Sequence, residues 1–144
     1  MTDTELTRAL ERGEIANENF HHLSHLHVAW VYLAESSCLD DAAAKMRHTL
    51  RRFAASVGHA EKYHETITLF WVQFLDRIRM TNVGKSLEEI VQANPHLLEK
   101  NFPLEYYSQE TLFSDRARAF WVEPDLKPLT QEPVSQIWNG CAKL

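Results

Sequence analysis

The sequence predicts an all-α protein, an irregular antiparallel bundle of about five helices with an extended, proline-containing C-terminal tail. Three observations predict it. Apolar residues recur at helical spacing through three long stretches. Residues that start and stop helices fall between those stretches. No run alternates apolar and polar residues as a half-buried strand does. The 144 residues are enough for one sizeable core, so residues 1–144 are read as a single helical domain.

Residues 1–14 read as a frayed lead-in. Glu5–Arg12 can form a short helix but carries no strong apolar stripe. The first main helix is expected over about 18–35, where Phe20, Leu23, Leu26, His27, Trp30, Val31 and Ala34 share one broad face. It is apolar over most of its circumference, which predicts a central position. The second, about 41–57, has Asp40 or Asp41 at its start, where an acid favours the helix dipole. Met46, Leu50, Phe53 and Val57 form its stripe, and Gly58 ends it. The third, about 60–82, puts His64, Ile67, Thr68, Trp71, Phe74, Leu75 and Ile78 on one face, with Gly84 beyond its end.

Ser86-Leu87-Glu88-Glu89 is a capping-box pattern and opens a fourth helix that stops at Asn94-Pro95. A fifth is expected over about 109–120. From Trp121 onward, Pro124, Pro128 and Pro133 forbid a helix, so 121–144 reads as an extended tail on the bundle, pinned by Val122, Leu126 and Trp138.

Bulk composition narrows the function classes. A net charge of −5 argues against a nucleic-acid partner. The basic cluster Lys45, Arg47, Arg51 and Arg52 reads as a solvated helix face. No apolar run reaches the eighteen or so residues of a membrane span, and the polar start is not a signal peptide. Cys38 and Cys141 fit no zinc or redox spacing. A soluble, cytoplasmic protein is the expectation, with a homodimer left open.

The residues with most chemistry are histidines. Four of the eight lie in Phe20-His21-His22-Leu23-Ser24-His25-Leu26-His27, inside an otherwise apolar run. His22 and His25, three apart, share a helix face. If the first and third helices meet, His64 completes a set of three imidazoles. Three protein ligands with an open position is the catalytic metal arrangement, and imidazole suits iron, zinc, copper or nickel. Glu65 is then a further ligand, an orienting group or a general base. Tyr107 or Tyr32 can supply a phenol, and Arg118 with Arg116 can clamp an anion. His27 has no partner at ligand spacing and reads as a hydrogen-bonded core residue.

Two Glu-x-x-His pairs, Glu18 with His21 and Glu61 with His64, match the spacing of carboxylate-bridged di-iron bundles. The second helix offers no inward mid-helix acid to complete such a site. No P-loop, dinucleotide fingerprint or nucleophile elbow is present.

The pieces Phe20-His21-His22-x-x-His25, Ala29-Trp30-x-Tyr32-Leu33, Tyr63-His64-Glu65-Thr66-Ile67-Thr68, Asn94-Pro95-His96-Leu97-Leu98, Tyr106-Tyr107-Ser108-x-Glu110-x-Leu112 and Ala117-Arg118-x-Phe120 resemble a family of small bacterial all-helical proteins. The resemblance brings no activity. It directs attention to His22, His25, His64, Glu65, Tyr107 and Arg118. The expected function is therefore a metal-dependent enzyme acting on a small molecule, in which a divalent transition metal held by His22, His25 and His64 activates water or dioxygen, with Glu65, Tyr107 and Arg118 assisting. The alternative is a non-enzymatic module for a small ligand or a protein partner, with structural histidines. A third reading is metal-free acid/base catalysis by His64 and Glu65.

Overall fold

The computed structural model describes residues 1–129, and all of its regular structure is helical. Helices α1 (Asp3–Glu11), α2 (His22–Glu35), α3 (Leu39–Ser56), α4 (Glu65–Thr81) and α5 (Leu87–Ala93) form the body; short α6 (Gln109–Leu112) and α7 (Asp115–Ala119) complete it. The predicted all-α bundle of five main helices is what the chain forms.

Helix α1 corrects the reading of a frayed lead-in. Thr2 caps it by accepting the Glu5 N–H at 3.1 Å. Ala9 and Leu10 turn inward and are buried, which gives the helix the apolar seam that its composition understates. Arg8 ties it to Glu35 at the far end of α2. Tyr32 of α2 donates to Glu11 at 2.6 Å and meets Thr49 of α3 at 2.7 Å, linking three helices through one phenol.

Helix α2 packs on α1, α3 and α4, the central position that its all-round apolarity predicts. Leu26, Val28, Ala29 and Tyr32 are almost wholly shielded from water. Burying a side chain such as Leu26 contributes on the order of 1.5–3 kcal/mol. Helix α3 lays Met46, Leu50 and Phe53 against this core. Gly58 follows it with φ +78°, the left-handed geometry that a glycine adopts without a steric penalty. Cys38, just before α3, is not a free thiol.

Helix α4 supplies Phe70, the hub of an aromatic cluster. Its ring lies 5.4 Å from Trp71, 5.7 Å from Phe74 and 5.3 Å from Tyr106. Ser86 and Glu89 form the reciprocal capping box expected at α5. The single helix expected over 109–120 is two. Ser114 interrupts it and caps α7 by accepting the Ala117 N–H at 3.1 Å. Beyond α7 the chain up to residue 129 has no regular secondary structure and bends at 125–127. Val122 is held there by Tyr107 and Thr66, and the Leu126 N–H donates to the Tyr106 carbonyl at 2.9 Å. The Leu126 side chain itself is exposed. Trp138, the remaining expected anchor, and Cys141 lie outside the described residues.

Candidate functional site

Two long helices begin later than periodicity predicts, and a histidine marks each start. Asn17–Asn19 is a turn of 3₁₀ helix, and Phe20 and His21 are extended, so α2 starts at His22. Ala60–Lys62 is another 3₁₀ turn, and His64 is the N-cap of α4. The Ile67 N–H donates to His64 Nδ1 at 3.1 Å, the bond that Ser or Asp commonly provides. His64 Nε2–H donates to the Leu112 carbonyl at 2.6 Å, joining α4 to α6. These partners fix the ring as the neutral Nε2–H tautomer, since a carbonyl only accepts and an amide N–H only donates. Burial also drives the His64 pKa down.

The di-iron spacing loses its geometric basis for the same reason. Glu18 with His21 and Glu61 with His64 lie on 3₁₀ turns and caps, so an i, i+3 separation does not place them on one α-helical face.

His22 and His25 project from the first turns of α2. His22 Nε2–H donates to the Leu97 carbonyl at 3.0 Å, and its ring sits 4.9 Å from Trp71. His25 Nδ1–H donates to the His21 carbonyl at 3.0 Å, with its ring 4.3 Å from Phe20. Burial lowers the pKa of both, and that of His25 falls to about 4. Both are neutral at pH 7. Each then keeps one ring nitrogen with a lone pair and no hydrogen-bond partner among the described residues.

The three predicted histidines line one cavity of about 590 Å³ between α2, α3, α4 and the 100–113 segment. Its walls are apolar: Phe20 beside α2; Met46, Leu50, Phe53 and Val57 on α3; Ile67 and Trp71 on α4; Leu104 and Phe113 opposite. His59, Lys62, Tyr63, Lys100 and Asn101 add the main polar groups. Among the described residues no Asp or Glu lines it, although the chain carries 20 acids and 15 Lys or Arg.

The other predicted residues fall elsewhere. Glu65 is buried outside this lining and fully engaged. Arg47 donates to it at 2.8 Å, Tyr63 at 2.6 Å, and Arg51 stands 3.7 Å away. The basic cluster on α3 is therefore partly an ion-pair partner of α4. Tyr107 is wholly buried and donates to the Val122 carbonyl at 2.5 Å. Arg118 reaches the Glu61 carbonyl at 3.3 Å. None of the three lines the cavity.

His22, His25 and His64 do not bring three ligand atoms within 4.8 Å of one another; among the described residues the group that does is Asp3, His27 and Glu88. His27 Nδ1 lies 2.8 Å from Asp3 Oδ2 and 3.9 Å from Glu88 Oε1. These three can hold a metal ion, and they stand apart from the cavity lining. No sequence spacing announces them, because they lie in three different helices. No helix among the described residues is long and apolar enough to cross a membrane. No family model, curated protein or solved structure matches the chain.

Proposed function

We propose that the chain is a binding protein for a small, largely apolar acid, an aromatic carboxylate being the best fit. The observation that carries this is the charge pattern of the cavity: among the described residues it has apolar walls, two ammonium groups, neutral imidazoles and no carboxylate. Its volume falls within the range of roughly 300–1,000 Å³ typical of ligand pockets. Trp71 and Phe53 offer stacking faces for an aromatic body. Lys62 and Lys100 are exposed where they border the cavity, so they can pair with an acid head group that stays hydrated. The free nitrogens of His22 and His25 accept hydrogen bonds from a ligand hydroxyl or amide.

This reading is preferred to a metal held by His22, His25 and His64. That site would require His64 to surrender its cap bond or its bond to Leu112. The hydrogen-bonded histidines instead shape the cavity wall.

The test is calorimetric titration at pH 7 with 1-naphthoate. One equivalent should bind. Ala54→Trp, which places an indole on the α3 side of the cavity, should abolish binding while leaving the helical circular dichroism intact. Undiminished binding by that variant, or none by the wild type, refutes the assignment.

A further inference from the structure

We propose that Asp3, His27 and Glu88 form a divalent-metal site that staples α1 and α5 to α2. The ligand set is one imidazole nitrogen and two carboxylate oxygens, each from a different helix. Around a tetrahedral zinc-like ion, with ligands about 2.1 Å from the metal, adjacent donors lie about 3.4 Å apart. The observed separations from His27 Nδ1, 2.8 and 3.9 Å, bracket that value. Asp3 has to withdraw by about half an ångström and Glu88 to approach by a similar amount. The Glu88 side chain is largely solvent-exposed, so its approach costs a change of rotamer and no repacking.

Charge and chemistry point the same way. The two carboxylates together carry two negative charges around a single imidazole, and a dication neutralises them. For the metal to bind, His27 places its proton on Nε2 and presents the Nδ1 lone pair now directed at Asp3. An imidazole with two carboxylates favours zinc, manganese or ferrous iron over calcium, which prefers a shell of oxygens. Three protein ligands leave at least one position for water. The site is independent of the cavity, since none of its residues lines it.

The experiment is equilibrium dialysis of tag-free protein against Zn²⁺, with Ca²⁺ in parallel, followed by thermal unfolding. One Zn²⁺ per chain should bind, and Ca²⁺ at least tenfold more weakly. Saturating Zn²⁺ should raise the melting temperature. Glu88→Gln should weaken Zn²⁺ binding at least tenfold while its metal-free melting temperature stays within about 2 °C of wild type, because this exposed residue is not otherwise part of the core. His22→Gln with His25→Gln should bind Zn²⁺ as wild type does. Equal affinity of wild type and Glu88→Gln overturns the proposal. So does Zn²⁺ binding that disappears in the His22/His25 variant, since that result puts the metal in the cavity.

Discussion

Replacing His64 by alanine removes two bonds at opposite sides of one ring, and the structure sets the size of the loss. The Ile67 N–H loses its acceptor at the start of α4. Removing an N-cap acceptor costs about 1 kcal/mol. The Leu112 carbonyl loses its donor, and an acceptor left unpaired in a buried place costs about 1–2 kcal/mol. The sum is about 2–3 kcal/mol. For a chain of this length each kcal/mol lowers the melting point by about 4 °C, so a fall of about 8–12 °C is expected. His64→Asn should recover about 1 kcal/mol, because its side-chain oxygen can cap α4 but cannot reach Leu112. Both variants are to be unfolded in urea, followed at 222 nm, with and without a chelator. The penalty should be the same in both buffers. A loss below about 0.5 kcal/mol refutes the capping argument, and a penalty that vanishes with chelator shows His64 to be a metal ligand.

Further outcomes follow from the same contacts. Glu65→Gln leaves Arg47 and Tyr63 facing an uncharged amide in a buried position, and should destabilise the fold by about 1.5–3 kcal/mol in urea; a neutral effect would contradict the ion-pair role. Stability should fall as pH drops from about 7 to 4. The folded state resists protonating His25 down to about 4, while the unfolded chain takes up that proton near the ordinary 6.5, so the unfolded state binds more protons throughout this window. The slope from this one histidine is at most about 1.4 kcal/mol per pH unit. His25→Gln should flatten the profile measured by urea midpoints between pH 4.5 and 7.5, and an unchanged slope would refute the assignment. Tyr32→Phe leaves Glu11 and Thr49 without their shared phenol and should cost about 1–2 kcal/mol by the same melts; a cost below about 0.3 kcal/mol would show that this link contributes little.

Much of the fold is legible in the chain because burial leaves a periodic mark. Met46, Leu50 and Phe53 announce the inner face of α3, and Ser86 with Glu89 announces the start of α5. Helix starts are less legible where an unusual residue performs the cap. His64 looks like the first member of the Ile67–Trp71 stripe, and only its two bonds reveal it as the residue that ends an extended link and opens α4. Helix α1 hides for another reason: its few apolar residues are supported by Arg8–Glu35 and Tyr32–Glu11, which are long-range pairings.

The candidate site divides along the same line. That His22, His25 and His64 share a region follows from their places on two core helices, and one cavity does receive all three. What they do there depends on the carbonyls of His21, Leu97 and Leu112, whose positions no spacing encodes. Asp3, His27 and Glu88 are invisible in sequence because their meeting depends on how α1 and α5 dock. His27 reads as a satisfied core histidine until that docking is known.

A cavity lined by ammonium groups distinguishes ligands by charge, which is tested by reversing the charge on one aromatic body. Calorimetric titrations with 1-naphthoate and with 1-naphthylmethylammonium at pH 7 should show the acid binding at least tenfold more tightly, a difference of about 1.4 kcal/mol or more. Lys62→Ala combined with Lys100→Ala should erase that preference while retaining residual binding of the aromatic body. Equal affinity for the two ligands, or a preference that survives loss of both lysines, would show that the lysines do not set the ligand charge.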